Sequence, residues 1–295
     1  MPIVKQLQFR GWSILLTFSF LISALFINVA SAGSVNKTSF RYRTDLGVKS
    51  PALDVYFTSD TQNAPVIIFI HGGGWVTGKK SAVHNMPTHF TELGFVFVSL
   101  DYRMVPDVRI EDQLDDIDHA LAWISQNISK FGGDADNLHL MGHSAGAHLA
   151  TMTALVPGPR VKRMIANGAL RSVISNDTRA YDVPRIAAQS RGGNLPRLYA
   201  NAFGTDPARW RKLSPFYQIS VGPTPAFLLL YSGQGRANGR SEFAKDFANR
   251  LGAAGAEVTL FDGSKYSHRG INTGIGNARD ITGAIDSFLA NQTGH

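Results

Sequence analysis

A serine stands between two glycines in Gly142-His143-Ser144-Ala145-Gly146, after the short apolar run Leu138-His139-Leu140-Met141 and before a helix-forming stretch from Ala147 to Leu155. A serine hydroxyl becomes a useful nucleophile when it stands clear of its surroundings and a base can take its proton. A sharp strand-to-helix turn provides the first condition. Such a turn needs small neighbours, because larger side chains would strike the adjoining strand and helix. The helix that starts there also aims its free N–H groups and positive dipole end at an oxyanion forming beside the serine. Five residues of this kind recur by chance, so the reading depends on partners elsewhere in the chain.

The first partner is His71-Gly72-Gly73-Gly74-Trp75, about 70 residues earlier and directly after the β-branched run Val66-Ile67-Ile68-Phe69-Ile70. Consecutive glycines let the backbone approach a ligand and turn its N–H groups toward it. That loop, together with the N–H of Ala145, has what an oxyanion hole requires. Two motifs with complementary chemistry, each at the end of a buried strand, point to acyl transfer on a serine.

Elements at the right places must hold these residues. Phe40 to Phe57 reads as two short edge strands, and Val66 to Ile70 and Phe95 to Leu100 read as strands buried on both faces. Ser81 to Leu93 is long enough for a crossover helix between them. Ile110, Leu114, Ile117, Leu121 and Ile124 form one apolar stripe of an amphipathic helix. Asp115, Asp116 and Asp118 on that helix read as a solvated face rather than a metal site. Further strands are expected around Arg163 to Ala166, at Ala226 to Tyr231 and at Val258 to Phe261. Helices are expected at Ser241 to Ala253 and Asp280 to Ala290. This alternation predicts an α/β fold, a mostly parallel central sheet with helices on both faces.

Composition narrows the function classes. The 295 residues contain no cysteine, which excludes disulfides, thiolate chemistry and lipoprotein attachment. Lys5 and Arg10, the apolar run Ile14 to Val29 and the small residues Ala30-Ser31-Ala32 read as a secretory signal peptide over residues 1–32. The single domain then covers 33–295, with export to a periplasm or the medium and no stable membrane insertion after cleavage. Without Lys5 and Arg10 the formal charge of +7 falls to +5, and the basic residues are scattered. Nucleic acid is therefore not an expected partner. No histidine spacing suggests a metal site.

Together, His71 to Trp75, Ser99-Leu100-Asp101-Tyr102-Arg103, Phe131-Gly132-Gly133-Asp134 and Gly142 to Ala150 resemble the α/β-hydrolase superfamily. The resemblance is to its esterase and lipase branch with the triple-glycine loop, which includes hormone-sensitive-lipase-like, feruloyl-esterase-like and kynurenine-formamidase-like enzymes. It implies Ser144 as nucleophile and oxyanion donors at the backbone of Gly73, Gly74 and Ala145. It also implies His268, in Tyr266-Ser267-His268-Arg269, as base, no cofactor, and a small-molecule ester as substrate. His71 is then expected to orient the loop, His143 to occupy the variable elbow position, and His148 to pack between helix and sheet.

The resemblance also calls for an aspartate after the penultimate strand, where Gly235 or Arg236 stands. Three readings stay open: Asp262 supplies a displaced carboxylate, Glu242 reaches in, or no acid is present. The last would leave a weakened enzyme or a binding protein on a hydrolase fold. An arylformamidase-like amidase is a further alternative to the ester hydrolase. The stretch Arg171 to Lys212 breaks the strand–helix rhythm, with eight basic residues against Asp177, Asp182 and Asp206. It reads either as a lid or as a solvated insertion. As a lid it would favour acidic or sugar-acid esters over neutral ones.

Overall fold

Strand β3 (Ala64–Ile70) is buried along its whole length, as its unbroken apolar run requires. In a computed structural model that describes residues 34–47, 50–234 and 239–293, β3 lies near the middle of an eight-stranded sheet. The other strands are β1 (Asn36–Arg41), β2 (Ala52–Phe57), β4 (Val96–Leu100), β5 (Gly133–His143), β6 (Leu170–Asn176), β7 (Ala226–Gln234) and β8 (Val258–Ser267). Their order is β1-β2-β4-β3-β5-β6-β7-β8. β1 and β2 pair antiparallel with their neighbours, and every pairing from β4 to β8 is parallel. This is the α/β-hydrolase fold.

Side chains alternate across the sheet. Val66, Ile68 and Ile70 point into one apolar layer, and Ile67 and Phe69 into the other. The first layer is covered by α2 (Ile110–Asn127), α3 (Ala145–Leu155), α4 (Pro159–Ala166) and α8 (Arg240–Ala253). The second is covered by α1 (Met86–Glu92) and α10 (Arg279–Thr293). Between β6 and β7 come α5 (Val183–Ala188), α6 (Arg197–Phe203) and α7 (Pro207–Lys212), and the short α9 (Gly270–Thr273) follows β8.

Register decides where function can sit. Ile70, Gly142 and Ser175 lie side by side across β3, β5 and β6, Asn176 pairs with Leu230, and Ser267 with Gln234. The residues that follow these strand ends therefore emerge at one edge of the sheet, where ligands of open α/β sheets bind.

Three expectations change. Arg163 to Ala166 is the end of helix α4, not a strand. Pro159 starts that helix, Val161 and Met164 bury one face of it, and Gly168 (φ +77°) turns the chain into the true strand at Leu170. Arg171 consequently belongs to β6, so the excursion begins only after that strand. Of Asp115, Asp116 and Asp118 on α2 only Asp115 is exposed; Asp116 and Asp118 are not on a solvated face. Asp116 is fully buried between Arg43 and Arg103, and Asp118 accepts from Arg160 and the Val161 N–H. Asp116 and Asp118 read as solvent-facing only while their cationic partners, distant in sequence, are unknown. The described residues belong to one compact unit, Ala32–His295. The signal-peptide reading falls outside the described residues, among which no helix is long and apolar enough to cross a membrane.

Candidate active site

The glycines of the first motif are there for space. Gly73 (φ +128°) and Gly74 (φ +61°) both adopt backbone conformations that disfavour other residues. A Cβ on Gly73 would lie 1.8 Å from the Thr77 carbonyl oxygen. The turn is closed by the Thr77 N–H donating to Gly73 O at 3.1 Å, and the N–H groups of Gly73 and Gly74 have no backbone acceptor among the described residues. Gly72 backs directly onto the nucleophile turn, since a Cβ there would meet Ser144 Cβ at 3.1 Å. His71 packs its ring on Tyr102 at 4.5 Å and places Nδ1 2.7 Å from Gly72 O, while the Tyr102 hydroxyl donates to His71 O. These contacts are those of a residue that orients the loop.

Ser144 sits at φ +57°, ψ −115°. For a residue with a side chain such a conformation costs about 1–3 kcal/mol and persists only where the surroundings enforce it. The enforcement is visible. Ser144 N–H donates to Asn176 O at 2.9 Å, and Gly142 packs so closely on the first turn of α3 that a Cβ would lie 2.2 Å from Gly146 O. Ala145 is the first residue of α3, so its N–H has no partner one turn back.

His268 follows the last residue of β8. Its Nε2 lies 3.0 Å from Ser144 Oγ, and its Nδ1 lies 2.5 Å from Asp177 Oδ2. With Nδ1–H donated to the carboxylate, Nε2 is the free acceptor facing the serine hydroxyl. His143 Nε2 donates to the main-chain oxygen of His268 at 2.9 Å, with the two rings 4.7 Å apart. Desolvation and the nearby His268 push the His143 ring down to about 3, so it donates as a neutral imidazole.

The carboxylate is the correction. Asp262 accepts from the Ser264 N–H, Glu242 pairs with Arg185 at the surface, and neither reaches His268. Gly235 and Arg236 lie outside the described residues. Asp177, which the sequence reading counted only as part of a basic excursion, stands at the end of β6 and is fully buried. Its φ is +62°, and its N–H donates to Leu230 O at 2.9 Å. Oδ1 accepts the Ser232 N–H at 2.8 Å, and Oδ2 accepts the Ser232 hydroxyl at 2.6 Å. Arg240 donates to the Asp177 main-chain oxygen at 3.2 Å, with its Nε 3.8 Å from Oδ2. Burial alone would raise this carboxyl; the His268 hydrogen bond, the Arg240 charge and Ser232 hold it below the ordinary carboxylate value. The missing signal was a strand boundary. Once the strand runs to Asn176, Asp177 is an acidic residue at a strand's carboxyl end, one strand away from where the acid was sought.

An open cleft of about 460 Å³ exposes Ser144, His268 and the three glycines. Leu198 of α6 forms part of its wall, close enough that a Cβ on Gly74 would meet it at 2.4 Å. Tyr199 and Phe203 pack on Trp75 at 5.6 and 4.9 Å. His148 is buried, accepting from Trp75 Nε1 at 3.2 Å and donating to Leu213 O at 2.8 Å. It therefore ties the glycine loop to the excursion. Two basic residues of that excursion are spent elsewhere, Arg185 on Glu242 and Asp246 and Arg209 on Glu111. Among the described residues no group of His, Asp and Glu is arranged to hold a metal ion.

The sequence matches the BD-FAE family over residues 53–230. It is 40% identical over 249 residues to the "Probable carboxylic ester hydrolase LipM" of Mycobacterium tuberculosis, covering 81% of this chain and 57% of that protein. It is 26% identical over 230 residues to the isoprenylcysteine alpha-carbonyl methylesterase ICME of Arabidopsis thaliana, covering 73% and 53%. The chain thus spans little more than half the length of these relatives. Among solved structures, apo Thermogutta terrifontis esterase 2 superposes with a TM-score of 0.66 at 24% identity, covering 88% of this chain and 95% of that one. Esterase B from Lactobacillus rhamnosis gives 0.69 at 21%, covering 88% and 86%. At these identities the two structures speak for the fold.

Proposed function

Because this chain belongs to the BD-FAE family of α/β-hydrolases, we propose that it is an exported serine hydrolase that cleaves carboxylic esters through an acyl-enzyme. The carrying observation is the unbroken chain Ser144 Oγ, His268 Nε2, His268 Nδ1, Asp177 Oδ2, with contacts of 3.0 and 2.5 Å. In this reading Ser144 Oγ attacks the ester carbonyl as its proton passes to His268 Nε2. The negative oxygen that forms is held by the N–H groups of Gly73, Gly74 and Ala145. Asp177 fixes the imidazole tautomer and faces the imidazolium as it forms. His268 then gives its proton to the leaving alkoxide oxygen, which departs as the alcohol. A water molecule, deprotonated by the same nitrogen, attacks the acyl carbonyl, and the acid leaves as Ser144 regains its proton.

The names of the relatives support an ester as substrate. The idea of a non-catalytic binding protein rested on a base without an acid, and Asp177 occupies that role. Export rests on the apolar segment ahead of Ala30-Ser31-Ala32. N-terminal sequencing of exported protein should begin near Gly33.

A fluorophosphonate probe should add its mass at Ser144 and fail to label Ser144→Ala. The labelled site should coincide with loss of p-nitrophenyl acetate hydrolysis. Faster turnover of N-formylkynurenine than of the ester would overturn the ester assignment in favour of an amidase, and absence of labelling would overturn the nucleophile.

A further inference from the structure

The cleft beside Ser144 is asymmetric in charge. Among the described residues that line it there is no aspartate or glutamate, and the one permanently charged side chain is that of Arg269. That residue follows the base directly in sequence, is exposed, and forms no ion pair or side-chain hydrogen bond among the described residues. The carboxylate of the site does not pair with it. Asp177 is fully buried, and its oxygens are taken by His268 and Ser232, with Arg240 alongside. The next residues of the same wall, Asn272 and Thr273 on α9, add neutral polar side chains to the cleft.

We infer that Arg269 makes this cleft selective for esters that carry a second, free carboxylate. The inference rests on the serine-hydrolase reading above. A guanidinium presents two parallel N–H groups that match the two oxygens of a carboxylate, and the charge-assisted pair is stronger than a neutral hydrogen bond. The cleft opens to water, so Arg269 is solvated before substrate arrives and pays little to wait unpaired. Once a substrate fills the cleft the surrounding water is displaced and the pair strengthens. A single lining cation suits a single negative charge; a substrate bearing a quaternary ammonium would meet only repulsion. The carboxylate can sit on either half of the ester, and the two halves are distinguishable by experiment.

The experiment compares kcat/KM for three acetyl esters of equal leaving-group shape: 4-acetoxybenzoate, 4-acetoxybenzamide and 4-acetoxyphenyltrimethylammonium. A second arm compares the monophenyl ester of adipic acid with phenyl hexanoate, placing the charge on the acyl side. In at least one arm the carboxylate ester should be preferred over its neutral counterpart by roughly tenfold to a hundredfold, and the cation should be the poorest substrate. Arg269→Gln should bring the ratio close to one, and Arg269→Glu should invert it. Because every comparison is a ratio within one protein preparation, partial misfolding of a variant cancels. Lys265→Gln, a surface change paired with Asp280 instead of the cleft, should leave the ratio where it was. Ratios near one in both arms, with Ser144 still labelled and neutral esters still hydrolysed, would overturn the carboxylate subsite and leave the hydrolase standing. An equal shift in Lys265→Gln would overturn the assignment to Arg269. No turnover and no labelling would overturn both readings.

Discussion

At the scale of single residues, the arrangement turns on one carboxylate. Asp177 is held by four independent contacts: Ser232 N–H, Ser232 hydroxyl, the Leu230 carbonyl through its own N–H, and Arg240 on its carbonyl. A residue with φ +62° is fixed this firmly only when its side chain must point one way. Asp177→Asn keeps the shape but replaces the Nδ1–H acceptor with a group that can offer the wrong tautomer to His268. In serine triads that change costs roughly 10⁴-fold in kcat, and the same order of loss is expected here. Asp262→Asn and Glu242→Gln should stay within a few-fold of the unmodified protein, since neither carboxylate touches the base. Steady-state kinetics on one ester separates these outcomes, and a large loss at Asp262 or Glu242 with a small one at Asp177 would reverse the assignment.

At the scale of elements, the strand-to-helix turn works by the close approach of α3 to β3. A Cβ on Gly146 would sit 2.0 Å from the Ile70 carbonyl oxygen and 2.6 Å from that of His71. Alanine favours a helix over glycine by about 0.8–1 kcal/mol, yet here two backbone oxygens must retreat, and such overpacking costs about 1–3 kcal/mol. Gly146→Ala is therefore expected to be destabilising in urea and to lose activity, because the loop after Ile70 moves with the carbonyls. Gly252→Ala in α8 is the counterpart. It is exposed, a Cβ there meets nothing within 4 Å, and the change should stabilise by about 0.4–1 kcal/mol. If both variants shift the urea midpoint in the same direction, the close-packing account is wrong.

At the scale of the whole molecule, three histidines set a pH limit: the buried His139 and His148 and the partly buried His143. Burial pushes His139 down to about 3 and His148 to about 4, and desolvation with the neighbouring His268 pushes His143 to about 3, from an ordinary value of 6.5. Each is bonded as a neutral ring; His139, for one, lies between Ser172 Oγ and Asn137 Oδ1 inside β5. A folded value below the unfolded one means that the unfolded chain takes up protons first as pH falls. The stability these rings contribute is complete above the unfolded value of 6.5 and is lost through the interval down to 3–4. Each proton contributes a slope of at most about 1.4 kcal/mol per pH unit. Urea midpoints measured from about pH 8 to about pH 4.5 should start to fall near 6.5, well above the ordinary carboxylate range. His139→Gln should make the decline shallower. A profile that stays flat until carboxylates titrate would show that these rings are not held neutral.

The amino-acid sequence alone determined the parts whose information is local. The length and β-branched composition of a run such as Val66 to Ile70 favour a doubly buried strand. Gly73 and Gly142 mark places where no side chain fits, Ser144 is announced by the glycines of its turn, and His268 is singled out only by the family resemblance. Only the tertiary structure decided the acid, because a carboxylate is chosen by which strand ends lie together and not by distance along the chain. β6 lies between β5 and β7, so the end of β6 delivers Asp177 to the space where a residue after β7 was expected. The same reason hid the burial of Asp116: its cations, Arg43 and Arg103, arrive from other parts of the fold. Pairing in the sheet and charge matching in the interior are properties of the folded chain, and a linear reading has no access to either.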